Sequence, residues 1–255
     1  MLKVFIPSLF LASLALMGMK GCSSVPTAST NKVRTTDNNV PERAEIAIKR
    51  NRNKIKALFN RRGASFEQPI FMRAFKEEGM IEVWGVSRKG GRYRRVKNYP
   101  ICAYSGTLGQ KQKEGDLQTP EGFYKVKPGY MNPHSAFHLS FDIGFPNAYD
   151  KAQGWTGSDL MVHGDCISRG CYAMTDDNME ELYTIATLNF EAGHDNFDFH
   201  AFPFRMTAAN LRRHGKNRWM TFWLELRNGY SAFEASKKPP LIQGKTDGYH
   251  VTMRR

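Results

Sequence analysis

Residues 161–176 read MVHGDCISRGCYAMTD, and the interpretation of the whole chain starts from this stretch. It continues the apolar residues 160–162 and is interrupted by glycines, a pattern typical of a strand that runs into a polar loop. Loops held by a rigid sheet are where catalytic side chains usually lie. The glycines let this loop fold back, so His163 and Cys171 can meet, and a neighbouring imidazole activates a thiol as a nucleophile. The stretch therefore predicts a cysteine–histidine catalytic pair.

The same stretch resembles the active-site motif of the L,D-transpeptidase (YkuD-like) family, in which His-Gly is followed by Ser-x-Gly-Cys. These residues stand here at 163–164 and 168–171, and the ending CYAMTD resembles the YafK-type branch of that family. The element Thr-Pro-x-Gly at 119–122 also resembles a recurrent feature of the family. Two positions depart from the common pattern, because most members have His at the place of Arg169 and Arg at the place of Ala173.

The resemblance implies an α+β fold with a mainly antiparallel, mixed β core, like the sandwich of the L,D-transpeptidase catalytic domain, with flanking helices. It implies a peptidoglycan enzyme of cell-wall biogenesis or degradation, with a role in cell shape. Cys171 would form an acyl-enzyme with a stem peptide at diaminopimelate and pass the acyl group to an amine. The alternative at the same site is hydrolysis that releases a lipoprotein from peptidoglycan. No cofactor and no metal are expected.

In this mechanism His163 either takes the thiol proton during attack or forms an imidazolium–thiolate pair in advance, and it later protonates the leaving amine. Adjacent side chains usually diverge, so a backbone carbonyl near Gly164 is expected to orient the imidazole in preference to the Asp165 carboxylate. Backbone N–H groups are expected to stabilise the oxyanion. The candidate donors are those of Gly170, Cys171 and Tyr172.

Three further residues are candidates for substrate binding, and each has a structural alternative. Arg169 could bind a substrate carboxylate with two hydrogen bonds or be a solvated loop residue. Ser168 could bind substrate or form a turn. His138 could face the substrate from its strand, or be a structural residue of that strand.

Other classes of protein fit the stretch less well. His163, Cys166 and Cys171 are metal-capable, but structural zinc usually has four ligands and no second Cys/His pair is nearby. The two cysteines do not form the C-x-x-C pattern of thiol oxidoreductases. A non-catalytic, basic, cell-wall-binding lipoprotein is the alternative from another class, and it would have no need of the cysteine–histidine arrangement.

The chain of 255 residues has 41% hydrophobic residues, enough for a sizeable core, and a formal charge of +13. Loss of residues 1–21 would remove two lysines and leave +11. Such a surface attracts nucleic acid, anionic lipid or an anionic wall polymer. Nucleic acid is not expected, because the chain has no RNA-binding signature, zinc-finger spacing or basic heptad pattern.

The N-terminus predicts export. Residues 4–17 form an apolar run that is too short for a comfortable transmembrane helix and suits a signal peptide. Gly21-Cys22 resembles a lipoprotein cleavage site, although Met19 and Lys20 are unusual beside it. Lipidation of Cys22, simple cleavage nearby and an uncleaved anchor all remain open. The predicted location is the bacterial periplasm or cell envelope, with membrane contact only through the signal or a lipid.

The four cysteines are Cys22, Cys102, Cys166 and Cys171. If the first is lipidated and the last is the nucleophile, Cys102 and Cys166 remain. Such a pair tends to close in the oxidising environment of an exported protein, whereas two free buried thiols are the alternative.

Composition and periodicity divide the chain into five segments. These are the signal at 1–21, a disordered tether at 22–40, a helix at 41–66, the catalytic domain at 67–206 and an extension packing on it at 207–255. The basic face of the helix either touches an anionic polymer or is solvated, the second being the ordinary role of such a face.

Within the catalytic domain, alternation and turn residues predict strands. They form an antiparallel meander at 69–75, 80–86 and 93–97, with further strands at 137–143 and 197–204 and a loop at 144–150. A helix capped by Thr175 or Asp176 is expected to end at Gly193. A short helical stretch is expected at 207–214, residues 219–226 fit a helix or a strand, and no clear period is found beyond 228.

Overall fold

The computed structural model describes residues 40–254, and side-chain burial from residue 42. The predicted signal at 1–21, Cys22 and the tether up to residue 39 lie outside the described residues. Between residues 40 and 254, no helix is both long enough and apolar enough to cross a membrane.

The described residues form both helices and strands, as expected for an α+β fold. The helices are α1 (Val40–Arg61), α2 (Ala148–Ala152), α3 (Asp176–Glu191), α4 (Ala208–Arg213) and α5 (Met220–Ser236), with a short 3-10 helix at Pro128–Tyr130. The strands are β1 (Ile70–Phe75), β2 (Met80–Val86), β3 (Tyr93–Pro100), β4 (Gly122–Val126), β5 (Met131–Asn132), β6 (Ser140–Asp142), β7 (Met161–His163), β8 (Tyr172–Ala173), β9 (Phe197–Phe202), β10 (Leu241–Lys245) and β11 (Gly248–Thr252).

The strands form a five-stranded sheet, a four-stranded sheet and a hairpin. The first has the order β3-β2-β1-β9-β4, the second has the order β5-β6-β7-β8, and β10 pairs with β11. Neighbours are antiparallel except for β1–β9 and β7–β8, which are parallel. The mixed, mainly antiparallel α+β fold predicted from the sequence is confirmed.

The central strand β1 is buried on both faces. Successive side chains of a strand point to opposite sides, and here Ile70 and Met72 join the larger core while Phe71 contacts Phe233 of α5. Helix α5 therefore packs against the face of the sheet opposite the larger core. The C-terminal segment is in this way part of the core.

Helix α1 uses its basic side chains against α3. Arg52 lies 2.6 Å from the Glu191 carboxylate, Lys54 lies 2.5 Å from that of Glu181, and Arg50 pairs with Glu180. The predicted basic face is therefore in good part an interface between two helices, which the charges of α1 viewed alone do not reveal.

Three elements differ from the sequence prediction. The strand expected at 137–143 is reduced to β6, because His138 adopts a left-handed conformation with φ of 65°. The loop expected at 144–150 contains the start of α2, whose N-terminus is closed by reciprocal hydrogen bonds between Asn147 and Asp150. Beyond residue 228, α5 continues through Gly229, where a Cβ atom would lie 2.5 Å from Phe123. Tertiary packing thus sustains a helix that local periodicity does not indicate.

His200 on β9 is buried among aromatic rings. Its ring centroid lies 4.7 Å from those of Phe71 and Phe123, and its Nδ1 has no hydrogen-bond partner among the described residues. Burial lowers the pKa of His200 to about 3. The folded protein therefore keeps this imidazole neutral where the unfolded chain would protonate it.

This difference predicts a loss of stability in acid. The contribution of His200 is fully present above its ordinary pKa of 6.5 and is lost progressively as the pH falls towards about 3, at up to about 1.4 kcal/mol per pH unit. Urea unfolding at pH 7, 5.5 and 4.5 should show a flatter acid decline for His200→Phe than for the unchanged chain. Equal declines in the two proteins would contradict the prediction.

Candidate active site

Strands β7 and β8 bring the predicted pair onto neighbouring strands. They run parallel, with Val162 opposite Tyr172 and His163 opposite Ala173. Cys171 comes directly before β8, and its sulfur lies 3.4 Å from the backbone nitrogen of Met161, which donates a hydrogen bond to it. Met161 is two residues from His163 on the same strand, and alternation places both side chains on one face. The Cys171 thiol therefore lies beside β7, the strand that carries His163.

His163 is held by its own loop. Its Nδ1 lies 2.5 Å from the Gly164 carbonyl oxygen, the group that the sequence predicted for this role. A carbonyl can only accept, so Nδ1 carries the proton and Nε2 is left as the basic nitrogen. The Phe137 ring covers the imidazole at 4.9 Å between centroids, and His163 is only 3% exposed. Burial lowers the pKa of His163, although the Gly164 carbonyl and the Asp165 carboxylate oppose the shift.

The environment of Cys171 favours the protonated thiol. Burial raises the pKa of this thiol, and the Asp142 and Asp159 carboxylates raise it further. The Met161 N–H and the charge of Lys111 act in the opposite direction without reversing the shift. In the free protein at neutral pH, the site therefore holds a neutral thiol and a neutral imidazole.

Ser168 forms the turn that precedes Cys171. Its hydroxyl donates to the Cys171 carbonyl at 2.8 Å and accepts from the N–H groups of Cys171 at 3.1 Å and Gly170 at 3.3 Å. Gly170 has φ of 124°, a conformation that favours glycine. Of the two roles predicted for Ser168, the structure displays the turn. Two of the three predicted oxyanion donors meet at its oxygen, and the third belongs to Tyr172, the first residue of β8.

The two other predicted substrate-binding residues, Arg169 and His138, have few or no hydrogen bonds to the loop that holds Cys171 and His163. Arg169 is exposed, and residues 42–254 provide it with no ion pair or hydrogen bond. The His138 ring lies 3.1 Å from the Glu180 carboxylate, and its backbone carbonyl accepts from Arg43 of α1. His138 thus links the loop to the flanking helices, and its predicted contact with substrate stays a prediction.

A cleft of about 630 Å³ lies next to residues that contact the sulfur of Cys171, and neither Cys171 nor His163 is among the residues that line it. Asp159 and Met161 line it, and the Asp159 carbonyl oxygen lies 3.6 Å from that sulfur. Asp142 and Lys151 also line the cleft. A polar cleft of peptide size therefore adjoins the two residues, Asp159 and Met161, whose backbone contacts the thiol.

Comparison with known proteins gives the family of the chain. The model of the L,D-transpeptidase catalytic domain (YkuD) matches residues 84–192. Two Escherichia coli proteins, from strains K12 and O157:H7, carry the name "Putative L,D-transpeptidase YafK". Each is 41% identical to this chain over 184 residues, which is 72% of this chain and 74% of the relative. The chain belongs to the L,D-transpeptidase family. Membership makes it an enzyme of that kind, with peptidoglycan as the family's substrate.

Two solved structures are more distant. The helical cell shape determining protein Pgp2 of Campylobacter jejuni is 19% identical, with a TM-score of 0.41, over 69% of this chain and 72% of that one. Bd1075 of Bdellovibrio bacteriovorus is 20% identical, with a TM-score of 0.39, over 69% of this chain and 76% of that one. Family membership rests on the sequence matches, and these two likenesses add nothing to it.

A disulfide ties the loop that follows β7 to the segment after β3. Cys102 is bonded to Cys166, with 5.4 Å between their Cα atoms. Main-chain hydrogen bonds reinforce the link, from Cys102 to Ala173 at 2.9 Å and from Cys166 to Met174 at 3.4 Å. Within the described chain Cys171 is the free thiol. The metal alternative loses one of its three ligands, because the Cys166 sulfur is bonded to another cysteine.

Sequence reasoning missed the two carboxylates beside the sulfur. Asp142 lies on β6, and its pKa is raised to about 6 by burial and by the neighbouring Asp159, although the Gly144 N–H opposes the shift. Asp159 has φ of 55° in an irregular segment. No pattern in the sequence signals their approach to Cys171, since it depends on β6 pairing with β7.

Removing one of these charges should make the thiol more acidic. Asp142→Asn keeps an oxygen for the Gly144 N–H, which now donates to Asp142 at 2.6 Å, and removes a charge that raises the Cys171 pKa. The pH midpoint for alkylation of Cys171 by iodoacetamide is expected to move downward. Asp195→Asn is the control, because this carboxylate follows α3 and is not among the charges that act on the sulfur. An unchanged midpoint in Asp142→Asn would refute the assignment.

Proposed function

We propose that this protein is a peptidoglycan L,D-transpeptidase-like cysteine enzyme. Cys171 forms an acyl-enzyme with a stem peptide at diaminopimelate and passes the acyl group to an amine. One observation carries the proposal: a free thiol lies beside the strand that presents a buried histidine, whose Nδ1 is held by the Gly164 carbonyl. That arrangement is the nucleophile, base and orienting group of thiol acyl transfer.

The pKa shifts of Cys171 and His163 favour one of the two ways in which the thiol could be activated. A preformed imidazolium–thiolate pair needs a thiol more acidic than the imidazolium. Here the pKa of Cys171 is raised above its ordinary 9.0, and the pKa of His163 is lowered below its ordinary 6.5. His163 therefore acts as a general base that accepts the proton while the sulfur attacks.

The steps follow from this assignment. The Cys171 sulfur bonds to the carbonyl carbon of the L-centre, and its proton passes to Nε2 of His163. When the tetrahedral intermediate collapses, the carbon–nitrogen bond breaks and the leaving amine takes that proton. An acceptor amine then attacks the thioester, gives a proton to His163 and displaces the sulfur, which is reprotonated. The oxyanion competes with the neutral Ser168 hydroxyl for the N–H groups of Gly170 and Cys171.

Water in place of the acceptor amine would make the same site a hydrolase. The leaving group could then be the side-chain amine of a lipoprotein attached to diaminopimelate. The products of the reaction distinguish the two acceptors.

Export to the periplasm or cell envelope belongs to the same proposal. Peptidoglycan lies outside the cytoplasmic membrane, and the disulfide between Cys102 and Cys166 suits an oxidising compartment. Attachment to the membrane would follow from a lipid on Cys22. The mass of the mature N-terminus, purified from membrane and soluble fractions, tests both points.

Product analysis tests the function itself. The mature protein is incubated with a disaccharide-tetrapeptide, alone or with an amine acceptor, and separately with a lipoprotein-linked muropeptide. Cross-linked or amine-exchanged product from the unchanged chain, absent with Cys171→Ala, is the expected result. Free lipoprotein with no amine product would replace the transferase with the hydrolase, and no product from any substrate would contradict both.

A further inference from the structure

A buried ion pair lies at the end of the central strand. Lys76 directly follows β1, and its Nζ lies 2.8 Å from the Glu121 carboxylate, with both side chains wholly inaccessible to solvent. Lys76 also donates to the carbonyl oxygens of Gly109 at 3.0 Å and Thr119 at 2.9 Å. Glu121 accepts in addition from the Gly109 N–H at 2.7 Å. Every donor and acceptor that this pair needs is therefore supplied by the protein.

The segment that this pair holds reaches the proposed nucleophile. The Thr119 hydroxyl donates to the Cys171 carbonyl at 3.2 Å, and the Pro120 carbonyl accepts from the Tyr172 hydroxyl at 2.7 Å. Thr119 and Pro120 stand immediately before Glu121 in the chain. The Cys171 carbonyl and the Tyr172 side chain are thus both connected to the ion pair through a single short segment.

Helix α5 completes the network from the other side. The Trp223 indole N–H donates to the second oxygen of Glu121 at 2.8 Å, and Trp223 is fully buried. Helix α5 is therefore connected to the loop of Cys171 in two steps, by the hydrogen bond from Trp223 to Glu121 and by the contacts of Thr119 and Pro120 with Cys171 and Tyr172.

A second buried ion pair offers a contrast within the same sheet. Arg73 and Glu82 lie 2.8 Å apart, and the Trp84 indole donates to Glu82 at 2.9 Å. The described contacts of this pair run to Glu234, Arg95 and Arg205, none of which belongs to the catalytic loop. Buried ion pairs are often no more stabilising than apolar residues of similar size, so the difference between the two pairs lies in the groups that each of them contacts.

We propose that Lys76 and Glu121 are positioning residues for Cys171, acting through Thr119 and Pro120, and that Trp223 of α5 holds Glu121 in place. This inference rests on the proposed function, in which Cys171 is the nucleophile. It assigns a role in catalysis to Lys76 and to Trp223 of α5, which lie outside the residues that carry the family resemblance.

Matched tryptophan variants test the inference. Trp223→Phe removes the N–H that holds Glu121, and Trp84→Phe removes the equivalent N–H in the second network. The concentration of active protein is taken as the amount whose Cys171 thiol reacts with an alkylating reagent. On that basis we expect Trp223→Phe to lower kcat for acyl transfer by about 10- to 100-fold with KM unchanged, since small misplacements of a reacting group have effects of this size. Trp84→Phe is expected to stay within twofold. Equal kcat values for the two variants would overturn the inference.

A second set of variants separates positioning from folding. Replacing both charges, in Lys76→Met/Glu121→Leu, leaves no buried charge without a partner and should keep the protein folded with kcat reduced as in Trp223→Phe. Thr119→Val should reduce kcat as well, and less than additively when combined with Trp223→Phe, because both act through one segment. A folded double variant with unchanged kcat would refute the inference. If instead Cys171→Ala retained activity, the proposed function would fail and not this inference alone.

Discussion

Replacing Cys171 by alanine is expected to reduce acyl transfer by a factor of about 10⁴ or more, because loss of a covalent nucleophile leaves only binding and oxyanion contacts. The melting temperature should change little, since the hydrogen bonds of the sulfur with described residues are two weak ones, from the Met161 N–H and to the Asp159 carbonyl. Product formation from a disaccharide-tetrapeptide, measured by chromatography and mass spectrometry, checks the activity.

The fold of the alanine variant is checked by circular dichroism and thermal unfolding. A folded Cys171→Ala protein with more than a few per cent of the activity would show that the acyl group does not pass through this sulfur. The non-catalytic wall-binding alternative predicts a different result, namely binding to peptidoglycan that survives the substitution in a protein with no turnover.

The second large effect is expected for His163→Ala. Loss of a general base lowers the rate by about 10²- to 10⁴-fold. In the unchanged chain, kcat/KM should rise to a plateau with a midpoint below pH 6.5, because His163 must be neutral and burial lowers its pKa. In the variant, the residual rate depends on free thiolate and should rise about tenfold per pH unit towards the thiol pKa, which lies above 9.0.

The shape of the pH profile therefore distinguishes a lost base from a damaged fold. His250→Ala serves as the control, because this histidine is exposed on the β11 strand and pairs with Asp247. It should keep the plateau of the unchanged chain. A His163→Ala protein whose low rate is flat with pH from 6.5 to 9 would contradict the assignment of His163 as the base.

Local sequence patterns predicted the elements whose determinants lie close together in the chain. The meander of β1, β2 and β3 follows from alternation and a glycine turn, and α3 begins after the predicted cap, where the Thr175 side chain accepts from Asn178. The strand before His163 and the resemblance of the following loop located the proposed nucleophile and base. These signals need no knowledge of the tertiary structure.

The features that the sequence did not reveal depend on distant contacts. Asp142 lies near Cys171 only because β6 pairs with β7, and Lys76 meets Glu121 only because the 109–121 segment folds over the end of β1. His138 was predicted on a regular strand, whereas its positive φ and its pairing with Glu180 of α3 end that strand early. The periodicity of one helix or strand cannot show such contacts, because the two residues of each pair lie in different parts of the chain.

Intact mass shows most directly whether Cys171 carries the acyl group. The mature protein is mixed with a disaccharide-tetrapeptide, quenched in acid within the first turnover and measured by intact mass, and its proteolytic peptides are then sequenced. We expect an added mass equal to the acyl donor minus its leaving group, located on Cys171 and absent from Cys171→Ala. In His163→Ala this adduct should increase only as the pH is raised. A protein that yields product while its Cys171 peptide remains unmodified at every time point would contradict this expectation.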